Sequence, residues 1–380
     1  MQLSFSKFYK FILSLYLLEE MILANLAWSS PYNNILRSLS AIGYYFVIGV
    51  IILYAITYFC IKKSLFPVLA LIVLLIAYIS GKITNDSTLT LIFPIIFLSF
   101  NQSLSEILKF YFKNLLFFFI LILILFKLGL TENLIVNFNY GIGYSLGTGH
   151  PNNLAAYIVN ITLLFFYLYL RDKSVWINIG TGVIVSIIIW KLTVSRTAVT
   201  EIILYVILFL LYRLLKIIRN KWIFRLIEII GVMIVLASIY FMLNYSQLSA
   251  SDSSLIVRFS QGNKIYSMYG IHLWGTAIPF VSTFEAAQLH IPALILDNGY
   301  LRMLIYHGIA CSIIFFIIIL CMFKNLNKNN KYCLLLIAIV FMVGGFMEKS
   351  VYLPQYNFTL IVTFMQMNLK LLNSKKKYEV

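Results

Sequence analysis

The sequence predicts an all-α, polytopic integral membrane protein of about 12 transmembrane helices with one large extracytoplasmic loop, a single membrane domain over residues 1–380. Three observations carry this. The chain is 62% hydrophobic and 11% charged, whereas about a quarter of a soluble domain is charged. Apolar runs such as Leu115–Phe126 and Ile223–Phe241 recur along its length. One large polar stretch, the loop at 244–297, interrupts them late in the chain.

Apolar runs of about 17–25 residues place the spans near 8–28, 40–61, 64–81, 87–100, 110–130, 153–170, 175–193, 196–218, 222–243, 298–322, 331–347 and 352–371. The first run contains Glu19 and Glu20 and no small-residue cleavage site follows it, so it reads as a span and not as a cleavable signal. Facing lipid, each glutamate would cost about 2.5–3.5 kcal/mol. Both therefore turn inward, as partners of a buried Lys or Arg or as part of a proton or substrate path. The fourth run is short and holds Pro94.

Basic residues set the orientation. Twenty of the 29 fall in one alternating set of connections, from Lys7 and Lys10 through Arg213 to Arg225 and on to Lys375-Lys376-Lys377. Eight fall in the other set: Arg37, Lys82, Lys191, Arg196, Arg258, Lys264, Arg302 and Lys349. The positive-inside rule puts both termini in the cytoplasm and the 244–297 loop outside a plasma membrane. In a soluble protein a net charge of +16 would suggest nucleic acid; here it is cytoplasmic Lys and Arg, and no nucleic-acid partner is expected. Cys60, Cys311, Cys321 and Cys333 lie in or beside apolar runs, which excludes a disulfide framework in the loop.

The chemistry belongs to three polar outer elements, 131–153, 191–197 and 244–302. In the first, glycines and Pro151 mark tight turns, and Asn152 or Asn153 can cap the sixth span. Arg196 reads either as a residue snorkelling to headgroups or as a rigid fork for phosphate oxygens. Glu201, inside the membrane, calls for an arginine partner or a wet cavity. Arg258 opens a mixed polar and aromatic segment, Arg258–Gly275, suited to a short interfacial helix; Lys264 is its weaker phosphate candidate. Asp297 reads as an N-cap by pattern, or as a carboxylate that takes a proton from a sugar hydroxyl. The tenth span would then aim its positive dipole end at the outer face, where a diphosphate docks. The four histidines, His150, His272, His290 and His307, lack metal-ligand spacing, and His307 reads as a hydrogen-bonded core residue. No Gly-x-x-x-x-Gly-Lys-Ser/Thr motif occurs, so ATP-driven chemistry is not expected.

Three short motifs stand in order along the outer face: Gly147-Thr148-Gly149-His150-Pro151-Asn152, Ser195-Arg196-Thr197-Ala198, and Asp297-Asn298-Gly299-Tyr300-Leu301 with His307-Gly308-Ile309. With the span count and the single late loop, they make the chain resemble bacterial polysaccharide polymerases of the Wzy type, within an O-antigen ligase-like superfamily. The resemblance implies an enzyme that joins undecaprenyl-diphosphate-linked oligosaccharide repeats on the outer face, with no cofactor, nucleotide sugar or metal. Its product would be a capsule, exopolysaccharide or O-antigen. Its partners would be the lipid-linked donor and acceptor, membrane lipid, a chain-length regulator and a flippase. It casts Asp297, Arg196 and Arg258 as catalytic. His150, Asn152, His290, Tyr300, Arg302 and Lys264 are its substrate-binding residues. Ligases of the superfamily usually place a histidine where Asp297 stands here, so the aspartate looks more polymerase-like. Tyr140, Tyr144, Tyr266, Tyr269 and Trp274 are available to stack on sugar rings. Two rivals stay open: a ligase that moves finished glycan to another acceptor, and a lipid-linked oligosaccharide flippase. Flippases should show short, even loops and two related halves, unlike this chain.

Overall fold

The computed structural model describes residues 5–29, 33–138, 140–215, 221–245, 254–281, 286 and 290–365. Glu285 and the tail from 366 to 380 lie outside the described residues. The chain is an all-α membrane protein: among the described residues, seven helices are long and apolar enough to cross a bilayer.

In order, α1 (Phe5–Leu18) passes through a π-helical turn, Glu19–Leu23, into α2 (Ala24–Ser29). Then come α3 (Asn33–Lys62), α4 (Leu65–Thr84), α5 (Thr88–Leu98) and α6 (Leu104–Lys127). A two-stranded hairpin follows, β1 (Ile135–Phe138) and β2 (Gly141–Tyr144), paired antiparallel with Ile135 opposite Tyr144. The chain continues through α7 (Pro151–Phe165), α8 (Val175–Thr193), α9 (Arg196–Leu215), α10 (Lys221–Leu243) and α11 (Ser254–Tyr269). A helical turn, Gly299–Leu301, and a π-turn, Arg302–Tyr306, lead into α12 (Gly308–Lys328), and α13 (Tyr332–Gly344) follows.

Four expected spans come out differently, the eleventh being the 13-residue α13, shorter than a bilayer core. The fourth is the 11-residue α5, buried from Leu89 to Leu98. At 1.5 Å per residue it covers about half of a bilayer core, and a helix apolar all round belongs inside a bundle. The tenth breaks at His307. Gly308 has φ +90°, and the freed amides of Ile309 and Ala310 bond the carbonyls of His272 and Leu273, each at 3.0 Å. The His307-Gly308-Ile309 motif is therefore a helix break that pins the late loop to α12.

The twelfth, expected over 352–371, is not an α-helix in its described part. After α13 the chain runs through two short 3₁₀ turns, Lys349–Tyr352 and Phe358–Leu360, and is buried from Val351 to Met365 apart from partly exposed Tyr356. Such backbone survives at membrane depth only where protein satisfies it. Side chains do that here. Asn160 donates to the carbonyls of Pro354 (3.4 Å) and Gln355 (2.9 Å) and accepts from the Phe358 amide at 3.0 Å. Tyr111 donates to the Pro354 carbonyl at 2.6 Å. Asn325 donates to the carbonyls of Val362, Thr363 and Met365 at 2.8–3.5 Å. The stretch begins beside the start of the α12 segment, where the Gly299 amide bonds the Gly345 carbonyl, and ends beside Asn325 near the far end of α12.

A large apolar core joins most of the helices. A second, smaller cluster around Met242, Phe259, Ile265, Leu301 and Ile305 seats α11 against α10 and the start of the α12 segment. That packing places the candidate site.

Candidate functional site

Phe259 lies in the second apolar cluster, its ring 5.3 Å from Phe241 and 6.2 Å from Phe346. Its neighbour Arg258 thereby reaches Asp297 and donates to Asp297 Oδ2. Both side chains are part-buried, 22% and 29% exposed. The pair joins two of the three residues expected to be catalytic.

Asp297 is not a helix cap. Asn298 performs that task, its Oδ1 accepting from the amides of Tyr300 and Leu301, each at 3.0 Å. The Gly299 amide is taken by the Gly345 carbonyl at 2.9 Å. The first turn therefore offers no open amides to a diphosphate, and the expected dipole site is closed. The charge gathered around the pair comes from side chains.

Those side chains arrive from separate segments. Glu348 sits where α13 ends and feels Asp297, Arg258 and Lys349. Burial first, and the Asp297 charge second, push its carboxyl up to about 8, against the pull of Arg258 and Lys349. Asn152 donates to Glu348 Oε1 at 3.1 Å. Lys349 is within electrostatic reach of Arg302, Asp86, Asp297 and Glu348. Arg302 stacks on Phe280 at 4.3 Å and Tyr306 at 5.0 Å. Asp86, in the turn between α4 and α5, accepts from the Thr88 amide at 3.1 Å and faces His307 Nε2 at 4.0 Å. The buried His307 nitrogens have no hydrogen-bond partner among the described residues, so the hydrogen-bonded core role expected for it is replaced by this approach to Asp86.

His150 is the N-cap of α7 in place of Asn152 or Asn153: its Nδ1 accepts from the Asn152 amide at 3.1 Å, with Pro151 at the first helical position. Burial holds its imidazole below the ordinary range, partly opposed by Asp297. With Nδ1 accepting, the neutral ring carries its proton on Nε2.

Arg196 starts α9 at the rim, exposed, its guanidinium 3.7 Å above the Tyr140 ring. Tyr140, at the hairpin turn, stacks in turn on Trp190 at 6.1 Å. The hairpin thus positions the arginine. Inward from it, Ser195, Thr197 and Glu201 line a narrow cavity with Asn152, Glu348 and Lys349. Glu201, 8% exposed, faces that cavity, and no salt bridge to an arginine is found for it among the described residues.

Other expected binders fall elsewhere. Tyr300 is buried and donates to the Met342 carbonyl, a packing role. Lys264 points outward from α11, and His290 is exposed with φ +53°. Sequence reasoning missed Glu348 and Asp86. The available signals were a Glu-Lys pair after Gly344-Gly345 between two apolar runs, and a lone aspartate in a three-residue turn. Among the described residues no three His, Cys, Asp or Glu side chains come together as a metal site.

No protein-family model, curated protein or solved structure matches the chain.

Proposed function

We propose that the protein is a polysaccharide polymerase of the plasma membrane: a glycosyltransferase that joins undecaprenyl-diphosphate-linked oligosaccharide repeats on the outer face. In this reading the chain crosses the membrane twelve times, the fourth crossing being the short α5 with the turn after it and the last the irregular 351–365 stretch. Both termini are cytoplasmic, and the site opens outward. The observation that carries the reading is the Arg258–Asp297 pair set among Glu348, Lys349 and Arg302. It supplies cations for a diphosphate and a carboxylate for a proton within one cluster.

The chemistry follows from that adjacency. A donor diphosphate brings several oxygens to a guanidinium that the resting protein gives to one carboxylate. Binding of the donor to Arg258 releases Asp297. The acceptor hydroxyl then attacks the anomeric carbon of the donor and its proton passes to Asp297. The bond from that carbon to the diphosphate breaks, and undecaprenyl diphosphate leaves with the electron pair. Arg258, Lys349 and the rim residue Arg196 hold charge that the leaving group already carries.

The test is a ladder of glycan lengths from purified protein supplied with lipid-linked repeats. Asn at position 297 keeps an acceptor for Arg258 but cannot take a proton. Asp297→Asn is expected to insert and fold normally and to lose polymer by about 100- to 10,000-fold, with single repeats accumulating. A parental ladder from that variant overturns the assignment of Asp297 as base.

A further inference from the structure

The mechanism gives tasks to Arg258, Lys349 and Arg196 and none to Arg302. Arg302 opens the π-turn Arg302–Tyr306, closed by a 3.3 Å bond from the His307 amide to the Arg302 carbonyl. Turns of this kind recur at functional sites. The guanidinium lies 4.3 Å from the Phe280 ring and 5.0 Å from that of Tyr306, two rings set 68° apart. Tyr306 is itself tied down, its hydroxyl donating to the Thr84 carbonyl at 2.8 Å. The Tyr352 hydroxyl also interacts with the guanidinium. Arg302 is thus held by aromatic side chains, and no ion pair to it is found among the described residues.

Lys349 forms no ion pair among the described residues either. It is open to the narrow cavity beside Glu348 and yet enclosed by protein, as at the floor of a cleft. That enclosure first, and the Arg302 charge second, hold its ammonium below the ordinary range. The charged network has two ends, with Lys349 between them. Glu348 feels Asp297 and Arg258 at one end, and Asp86 feels His307 and Arg302 at the other. Lys349 feels Arg302 and Asp86 as well as Asp297 and Glu348. Asp86 is also within electrostatic reach of Glu20, which accepts from Gln355 Nε2 at 3.2 Å, as Glu19 accepts from Ser40 at 2.7 Å. Among the described residues neither glutamate has the basic partner expected for it. Asp86 offsets one of the two positive charges of Arg302 and Lys349, and the other is left over.

We infer that Arg302 and Lys349 form a second phosphate seat, which takes the lipid-side phosphate of a polyprenyl diphosphate. The identity of this ligand rests on the polymerase reading. In that reading the sugar-side phosphate lies at the Arg258–Asp297 end, because the anomeric carbon it carries has to meet an acceptor hydroxyl that gives its proton to Asp297. The lipid-side phosphate, one bridging oxygen further on, then falls toward Lys349 and Arg302. A guanidinium already stacked on rings and not engaged by a carboxylate offers its donors to phosphate oxygens with little reorganisation. A polyprenyl monophosphate would fill this seat alone, and a diphosphate would span both ends of the network.

The test is binding of radiolabelled lipids to the purified protein in detergent, without turnover. The probes are undecaprenyl diphosphate, undecaprenyl phosphate and phosphatidylglycerol, an ordinary phosphate headgroup. The parent is expected to bind the diphosphate at least about tenfold more tightly than the monophosphate, and phosphatidylglycerol more weakly than either. Arg302→Gln should weaken both polyprenyl lipids by at least about tenfold, and Arg302→Lys, which keeps the charge, should recover part of that loss. Lys349→Gln, at an exposed position where folding is not at stake, should weaken the monophosphate by at least about threefold. Arg258→Gln should weaken the diphosphate by at least about tenfold and the monophosphate by less than about threefold. Parental monophosphate binding in Arg302→Gln or Lys349→Gln, equal losses of both lipids in Arg258→Gln, or equal binding of phosphatidylglycerol overturns the seat and leaves the polymerase reading standing. A parent that binds neither polyprenyl lipid overturns both. A parental ladder from Asp297→Asn with the two-lipid pattern intact would count against the proposed base and not against the seat.

Discussion

At the scale of single residues, two groups separate chemistry from packing. Arg196 stacks on Tyr140, a contact a lysine ammonium also makes, but only guanidinium offers two parallel donors to a phosphate. Arg196→Lys should therefore lose at least about tenfold in polymer yield at normal abundance. Full activity would leave Arg196 as a headgroup contact. Glu348 gives a pH signature. Its carboxyl, raised to about 8 in the fold from an ordinary value of 4.5, is stabilised there as the neutral acid. Its contribution to stability is whole below the ordinary value and is lost as pH rises through the folded one. Between about pH 6 and about pH 9 the thermal midpoint of the parent should fall further than that of Glu348→Gln. Parallel curves would mean that Glu348 titrates as an ordinary surface carboxyl.

Among elements, the irregular 345–365 stretch is the least predictable and the most dependent on others. In a helix its carbonyls and amides would bond one another. Here Asn160 alone serves two carbonyls and one amide. Asn160→Leu keeps side-chain bulk and strands the Gln355 carbonyl and the Phe358 amide in an apolar interior, at about 1–3 kcal/mol for each left unmet, while Tyr111 still serves the Pro354 carbonyl. A drop of several degrees in the thermal midpoint of the purified protein is expected, accompanied by lower abundance. Unchanged stability would mean that the backbone there finds other partners.

For the whole molecule, the charge asymmetry predicts an orientation. A reporter fused after Ser249 should read outside and one after Tyr378 inside, because twenty basic residues line one side against eight on the other. Both reporters on one side would remove the twelve-crossing topology. The same asymmetry leaves the few basic residues of the outer set available for an anion, and Arg196, Arg258, Arg302 and Lys349 are among them.

The sequence by itself determined the membrane class, the long helices and the segments that hold polar groups, since burying apolar length and excluding charge from lipid are local requirements readable in one dimension. It also pointed to Asp297, Arg258 and Arg196, because ionisable residues in so apolar a chain are few. Only the tertiary structure decided what those residues touch. Asn298, one position on, took the cap and left Asp297 to Arg258. Glu348, Asp86 and Lys349 reached the site from segments far apart in the chain. The apolar run at 352–365 became irregular backbone because Asn160, Tyr111 and Asn325, on three other helices, supply the hydrogen bonds a helix would have made within itself. Pairings of that kind depend on which helices pack together, and no local pattern encodes them.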